Sequence, residues 1–212
     1  MSERDGPPLP SRTASLLSEL SDEQLLERHL AGQSEAFRVL VERYRVELYR
    51  FLGRFLGDRS LADDVFQDTF VQVYQSANHF DPARRFRPWL FAIATNKARD
   101  ALRTGARRHA ASLDSHDDAP DSAPLHLLVS AEQPPDEPVA AQEIRERVKK
   151  VVTTLPTQYR EILLLAYFNQ FSYKHISEIL QVPVGTVKSR LHAAVAFFAQ
   201  QWKETNPDRW AS

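Results

Sequence analysis

The hydrophobic side chains of this sequence recur every three or four residues along most of its length. Between residues 34 and 55 the apolar positions follow one face of an α-helix, which Gly57 is predicted to end. No stretch of useful length alternates between apolar and polar residues in the manner of a β-strand. The pattern therefore predicts an all-α protein.

Helix-start signals mark three more helices in the first half of the chain. Ser21 and Gln24 fit a capping box, in which each side chain accepts a hydrogen bond from the other's backbone N–H. Ser60 is predicted to begin the next helix. Pro88 suits the first turn of a fourth helix, which is predicted to end near Gly105.

The second half of the chain resumes helical periodicity after an interruption. Five of the 13 prolines fall within residues 105–138, amid Ser, Asp and Ala residues, and this composition is typical of a linker. The prediction is two small helical domains, residues 21–104 and 139–204, joined by a flexible acidic tether. Residues 1–20 also contain three prolines and are predicted to form a disordered leader.

The composition excludes several classes of function. The chain has 212 residues, 42% of them hydrophobic and 26% charged, which suits a folded globular protein. It contains no Cys, so disulfide frameworks, Cys-ligated metal centres and thiol nucleophiles are excluded. The longest apolar run is far shorter than the roughly 18 residues of a membrane span. The first residues lack the features of a signal peptide, so the expected location is the cytosol.

The formal net charge of −1 conceals a strongly uneven distribution. Residues 84–109 carry eight basic side chains and one acidic one, whereas residues 110–147 carry nine acidic and two basic ones. Residues 21–83 are also acidic, with 11 carboxylates against seven basic side chains. A short basic segment between acidic ones indicates a local surface for a polyanion.

A helix-turn-helix pattern lies near the C-terminus. Residues 172–180, a tight turn and residues 184–198 have the proportions of this motif, whose second helix enters the major groove. Val187 and Leu191 are predicted to pack inward. The alternative to a helix-turn-helix is an ordinary helical hairpin within a bundle. Five side chains on the exposed face of the second helix are then expected to contact DNA bases and phosphates: Thr186, Lys188, Ser189, Arg190 and His192.

Aromatic and cationic side chains are interleaved in residues 80–103. Cations can follow phosphates while rings stack on unpaired bases, so this stretch is expected to bind single-stranded nucleic acid or a base swung out of a duplex. Phe80 and Phe91 are predicted to be exposed, and Trp89 to be mainly structural. The amide of Asn96 lies among the cations, which are Arg84, Arg85, Arg87, Lys97 and Arg99.

Three carboxylates, those of Asp63, Asp64 and Asp68, lie close together in the predicted third helix. The favoured interpretation is a polar and aromatic patch for a protein partner. Two alternatives stay open, namely acidic residues that favour the positive end of a helix and a Mg²⁺ site. A magnesium site would need a second acidic helix, which the sequence lacks. The patch would consist of Asp64, Gln67, Asp68 and Phe70.

These three segments, in this order, resemble the extracytoplasmic-function (ECF) sigma factors of bacterial RNA polymerase. Residues 62–70 (ADDVFQDTF) resemble region 2.2 of that family, and residues 86–100 (FRPWLFAIATNKARD) resemble regions 2.3 and 2.4. Residues 155–190 resemble region 4. The resemblance implies a sigma region 2 domain and a sigma region 4 domain in a dissociable subunit, which directs core polymerase to promoters and assists DNA melting. Neither enzymatic activity nor a cofactor or metal is implied.

The resemblance also implies roles for individual residues. Those that would dock on core polymerase are Asp64, Gln67, Asp68 and Phe70. The minus-ten element, part of which is a melted single strand, would be contacted by nine residues: Ser76, Phe80, Arg84, Arg85, Arg87, Phe91, Asn96, Arg99 and Asp100. Those that would meet the minus-thirty-five element are Thr186, Lys188, Ser189, Arg190 and His192. An anti-sigma factor that holds the protein inactive is a further implied partner.

The sequence departs from the family pattern in the turn of the motif and after His192. Gln181 stands in the turn where the family often has Gly, and it is expected to strain the turn if a left-handed backbone is required there. Residues 193–195 are Ala, Ala and Val where the family often continues with Arg, which predicts weaker phosphate anchoring.

Two other functions fit parts of the pattern. An autonomous helix-turn-helix regulator would sense a ligand or dimerise through its N-terminal helices. A metal-dependent enzyme would use the Asp63, Asp64 and Asp68 carboxylates. Neither explains why the acidic patch and the basic aromatic stretch occur together, so a polymerase-dependent initiation factor is the favoured hypothesis.

Overall fold

The computed structural model describes residues 16–111 and 139–205, with side chains over residues 16–105 and 142–205. The regular structure in these ranges is helical throughout, so the predicted all-α fold is confirmed. None of the helices described has both the length and the apolar content that crossing a bilayer requires. The predicted disordered leader is wrong at residues 16–20, where a helical turn buries Leu17 in the core, and the predicted linker is wrong at residues 105–111, which are helical. The rest of both segments, up to residue 15 and from residue 112 to 138, lies outside the described residues.

The first half forms a helical bundle in which each helix packs on the next. Residues with no exposed surface, among them Leu40, Leu48 and Phe55, make up its core. A short 3₁₀ turn, Ala77–His79, follows the third helix. The helices are α1 (Asp22–Leu30), α2 (Ser34–Leu56), α3 (Arg59–Ser76) and α4 (Phe86–Ala111).

The ends of α1 and α2 are set by the residues that the sequence indicated. The Gln24 N–H donates to Ser21 Oγ at 3.2 Å, and the Ser21 N–H donates to Gln24 Oε1 at 2.9 Å, so the capping box is confirmed. Gly57 ends α2 with a φ of 75°, a left-handed conformation in which glycine is favoured because it lacks Cβ.

The limits of α3 and α4 differ from those predicted. Asp58 caps α3 by accepting a hydrogen bond from the Leu61 N–H at 2.8 Å, so the helix begins at Arg59 and not at Ser60. At the start of α4 the Phe86 N–H donates to Oε1 of Glu23 in α1, at 3.0 Å. The α4 helix continues through Ala111, six residues beyond its predicted end at Gly105.

The second half forms a smaller bundle that contains the predicted helix-turn-helix. Ser172 caps the first helix of the motif, because its Oγ accepts a hydrogen bond from the His175 N–H at 3.2 Å. A π-helical turn, Leu164–Phe168, extends the helix Thr157–Leu163, which comes before the motif. The helices are α5 (Val139–Thr154), α6 (Thr157–Leu163), α7 (Tyr173–Leu180) and α8 (Val184–Thr205).

The two bundles pack against each other, which the sequence analysis did not anticipate. The main contact joins α4 to α7, and α2 also meets α5 and α6. Buried hydrophobic residues of both bundles form one continuous cluster, from Leu40 in α2 through Phe91 in α4 to Ile176 in α7. The two predicted domains are therefore present as helical bundles, but the chain holds them together as one body.

Candidate nucleic-acid and polymerase interfaces

An exposed polar stripe runs along α3. Asp64, Gln67 and Asp68 are all exposed, and their spacing of three and four residues places them on one face. Phe70 was expected to join this patch, but only 7% of its surface is exposed. Its ring packs inside the bundle, 5.0 Å from the ring of Phe66, because position 70 lies on the inward face of α3. The patch as predicted is therefore wrong at Phe70.

Two apolar residues that the sequence analysis missed extend the α3 stripe. Val71 is 54% exposed and Tyr74 is 57% exposed. Val71 lies four residues after Gln67, and Tyr74 three residues after Val71, so the helical period was the signal that could have found them. Exposed apolar side chains beside carboxylates form a surface suited to a protein partner. We call the exposed residues Asp64, Gln67, Asp68, Val71 and Tyr74 the α3 stripe.

The acidic residues of α3 do not converge on one point. Asp63 turns towards Tyr49 in α2, whose pKa is raised by burial and by the hydrogen bond with this carboxyl. Asp64 and Asp68 lie exposed along the α3 stripe. Within residues 16–105 and 142–205, no group of three His, Asp or Glu side chains is placed to hold a metal ion.

The loop before α4 presents cations around a partly covered aromatic cluster. Arg84 and Arg85 are exposed. Phe80 was expected to be exposed but is half-buried, with its ring centroid 4.9 Å from that of Trp89. Trp89 packs against the core, as its predicted structural role requires. Ser76, which ends α3, donates from Oγ to the Gln72 carbonyl at 2.5 Å.

Phe91 was also predicted to be exposed, and this prediction is wrong. The side chain has no exposed surface. Its ring centroid lies 5.2 Å from that of Phe51 in α2 and 5.0 Å from that of Phe171, just before α7. The second bundle thus covers a face of α4 that would be open if the first bundle stood alone.

The polar residues of α4 divide into exposed and engaged groups. Asn96 and Asp100 are exposed. Arg87 forms an ion pair with Glu47 of α2 and donates to the Asn169 carbonyl at 2.7 Å. Arg99 is engaged by a residue that the sequence analysis missed, Glu161 of α6. Glu161 lies four residues before the buried Leu165, a spacing that indicated an inward position.

The helix-turn-helix presents most of its predicted residues to solvent. Val187 and Leu191 are buried, as predicted, and they fix which face of α8 points outward. Lys188, Ser189 and His192 are exposed. The half-buried members of the predicted set are Thr186 and Arg190.

The turn of the motif contains the strained residue that the sequence raised as a possibility. Gln181 has φ 53° and ψ 47°, the left-handed conformation that disfavours residues with a Cβ. Ser177 supports the turn from α7, since its Oγ donates to the Val182 carbonyl at 2.6 Å. The turn is therefore held by a side-chain hydrogen bond despite the unfavourable backbone of Gln181.

Comparisons with known proteins identify the family. Residues 40–108 match the family described as Sigma-70 region 2, and residues 145–198 match the one described as Sigma-70, region 4. The ECF RNA polymerase sigma factor SigW of Bacillus subtilis is 32% identical over 162 residues, which span 76% of this chain and 86% of SigW. The RNA polymerase sigma-H factor of Pseudomonas aeruginosa is 34% identical over 179 residues, which span 84% of this chain and 92% of that protein.

Solved structures include one of similar architecture. The structure of CnrH in complex with the cytosolic domain of CnrY aligns with a TM-score of 0.61 at 28% identity, over 84% of this chain and 95% of that one. Both sigma regions are thus present in their expected order, and the relatives match over most of their lengths. The chain belongs to the ECF sigma factors of bacterial RNA polymerase, the subunits that direct the polymerase to specific promoters at transcription initiation.

Proposed function

We propose that this sigma factor acts through three separate surfaces, one for core polymerase and two for promoter DNA. The α3 stripe would bind core polymerase. The observation that carries this assignment is the exposure of Asp64, Gln67 and Asp68 beside Val71 and Tyr74, because uncovered apolar area next to unpaired charge favours a protein partner over solvent.

The minus-ten element would be met by α4 and the loop before it. Exposed cations at Arg84 and Arg85 can follow phosphates, and the half-buried ring of Phe80 borders the same loop. Asn96 and Asp100 are exposed further along α4 and suit contacts with duplex DNA. Phe91 is too deeply buried to stack on a base, so its proposed role is to support this surface from inside.

The minus-thirty-five element would be met by the first turns of α8. Lys188, Ser189 and His192 project from the recognition helix into solvent, where they can reach base edges or phosphates in a major groove. Thr186 and Arg190, being half-buried, border this surface. The chain would then span both elements with domains at about residues 21–104 and 139–204.

A protein regulator is also proposed. The similar protein CnrH was solved with the cytosolic domain of CnrY bound to it. By analogy, an anti-sigma factor would bind this chain and keep it from polymerase. Because its two nucleic-acid surfaces and its polymerase surface serve transcription, we propose that it works in the cytoplasm and is not an enzyme.

A charge reversal on α3 tests the polymerase assignment. Asp68→Lys is expected to abolish association with purified core polymerase, because it places a cation in the middle of the α3 stripe. Glu27→Lys is the matched control, since Glu27 is an exposed acid on α1 outside that stripe. Association is measured by co-elution in gel filtration, with circular dichroism to show that both variants fold.

The same pair separates the alternative functions. An autonomous regulator would lose no DNA binding on Asp68→Lys, and a metal-dependent enzyme would lose metal-dependent turnover. Equal association of both variants with core polymerase would overturn the assignment of the α3 stripe.

A further inference from the structure

A cleft of about 550 Å³ lies between the second half of α4 and three helices of the second bundle, α6, α7 and α8. A volume of this size is typical of pockets that enclose a small molecule. The surfaces proposed for core polymerase and promoter DNA leave this cleft without an assigned ligand of its own.

An ion pair neutralises the buried acid of the cleft. Arg99 Nε donates to Glu161 Oε2 at 2.7 Å, and Arg99 Nη2 donates to Glu161 Oε1 at 2.8 Å. The side chain of Glu161 is only 3% exposed, so both of its oxygens are engaged away from solvent. The carboxylate therefore presents no uncompensated negative charge to a ligand in the cleft.

Two further guanidinium groups line the cleft from opposite walls. Arg103 comes from α4 and Arg190 from α8. Among the described residues, the half-buried Arg190 has neither a hydrogen bond nor an ion pair. Arg103 meets Asp100 at 3.4 Å, but the two side chains are 71% and 70% exposed, and a surface pair of this kind contributes little. Positive charge thus remains available on both walls.

This arrangement of cations suits a chain of phosphates. A guanidinium is a planar fork that donates two parallel hydrogen bonds to one phosphate, and it stays charged at every physiological pH. A cleft with charges of one sign and low-dielectric walls also concentrates counter-ions. The Thr157 hydroxyl and the Gln158 amide line the same cleft and add neutral donors.

The cleft also has an apolar part that a bare anion would leave uncovered. Leu102 of α4 and Leu180 of α7 belong to its lining. Leu180 is buried and Leu102 is half-buried, so both are held in place by the core that they pack against. Apolar walls beside a few polar groups are typical of sites that bind an organic ligand, such as a base with its ribose.

We propose that this cleft binds a nucleoside polyphosphate, with its phosphate chain between Arg103 and Arg190 and its nucleoside against Leu102 and Leu180. A nucleic-acid strand is the other polyanion that these cations could meet, but the enclosed volume and the apolar walls favour a small molecule. The inference goes beyond the proposed function, because the free protein would bind the nucleotide without polymerase.

Calorimetric titration of the free protein with GTP and with ATP tests the proposal. We expect one molecule of at least one of these nucleotides to bind per chain, at least tenfold more tightly than guanosine or sulfate does. An equal affinity for sulfate would mean an adventitious ion only. An equal affinity for inorganic triphosphate would show that the nucleoside makes no contact. Either result would overturn the proposal.

Substitution of the two free cations tests where the nucleotide binds. Arg103→Gln and Arg190→Gln should each weaken binding by about 10- to 100-fold, the usual effect of removing a hydrogen bond to a charged group. Lys188→Gln is the matched control, because Lys188 is exposed on α8 outside the lining of the cleft. It should change the affinity less than about twofold. Equal losses for Arg190→Gln and Lys188→Gln would overturn the site.

A bulky substitution tests the space without changing any charge. Thr157→Trp should block the cleft and abolish nucleotide binding, whereas Thr154→Trp, at an exposed position outside its lining, should leave binding unchanged. Circular dichroism checks that all variants fold. Undiminished binding by Thr157→Trp would exclude the cleft as the site. If a single-stranded oligonucleotide binds through Arg103 and Arg190 while neither nucleotide binds, the cleft is a nucleic-acid surface and the proposal is wrong.

Discussion

The rings of Phe91 in α4 and Phe171 before α7 meet across the two bundles, with centroids 5.0 Å apart and ring planes inclined by 68°. This is the edge-to-face geometry that aromatic pairs prefer. The contact converts a residue that the sequence suggested for stacking on DNA into part of the core. It also makes the packing between the bundles a measurable contribution to stability.

We predict that Phe171→Ala destabilises the whole protein by about 3 kcal/mol, because it leaves a cavity between the bundles. Tyr173→Ala, at a position 45% exposed, should cost less than about 1 kcal/mol. Urea unfolding followed by circular dichroism measures both values. Similar losses for the two variants would show that the interface near Phe171 contributes little.

Gln181 offers a stabilising substitution. We expect Gln181→Gly to raise the free energy of unfolding by about 0.5–1 kcal/mol, because glycine adopts φ 53° without a Cβ clash. Gln158→Gly, within the right-handed helix α6, should instead lower it by about 1 kcal/mol. Thermal unfolding compares the stabilities of the two variants. A loss of stability in Gln181→Gly as well as in Gln158→Gly would contradict the left-handed backbone at residue 181.

The cap of α3 distinguishes the observed helix start from the predicted one. Asp58→Ala should cost about 1 kcal/mol, since it removes the acceptor for the Leu61 N–H. Ser60→Ala should change stability by less than about 0.5 kcal/mol, because Ser60 lies inside the helix and is exposed. Chemical denaturation measures the free energy of unfolding of both variants. A larger loss for Ser60→Ala than for Asp58→Ala would favour a helix start at Ser60.

The two DNA surfaces should respond to different promoter elements. Lys188→Ala is expected to weaken recognition of the minus-thirty-five element and Asn96→Ala that of the minus-ten element. Each lost base contact should cost about 1–3 kcal/mol. Run-off transcription with polymerase, on promoters altered in one element at a time, separates the effects. Identical promoter profiles for the two variants would refute the assignment.

His29 should make stability depend on pH. Its ring lies 4.9 Å from each of the rings of Phe37 and Tyr74, and burial lowers its pKa. The neutral form is therefore favoured in the folded state. Its contribution to stability is fully present above the unfolded pKa of about 6.5 and is lost as the pH falls through the lower folded pKa.

The pH dependence can be isolated by substitution. We expect the melting temperature of His29→Gln to fall less between pH 7 and pH 5 than that of the unaltered protein. His192→Gln, at an exposed position on α8, serves as the control and should leave the fall unchanged. An identical slope in all three proteins would exclude His29 as a contributor.

The sequence alone determined the elements of this protein. Helical periodicity, the Ser21–Gln24 capping box, Gly57 and the buried pair Val187 and Leu191 are local features, because each depends on residues a few positions apart. The family motifs are also contiguous, so both sigma regions and their order could be recognised without a structure. The exposure of Asp64, Gln67 and Asp68 followed from the same period, whereas Val71 and Tyr74 were missed and Phe70 was assigned to the patch although it is buried.

Only the tertiary structure decided how the two bundles meet. The Arg99–Glu161 pair joins residues 62 positions apart, and the hydrogen bond from Arg160 to Phe55 joins residues 105 apart. No local period encodes such contacts, since they depend on which faces of two finished bundles come together. Phe91 illustrates the difference: its helix was predictable from neighbouring residues, but its burial required a partner surface from the other half of the chain.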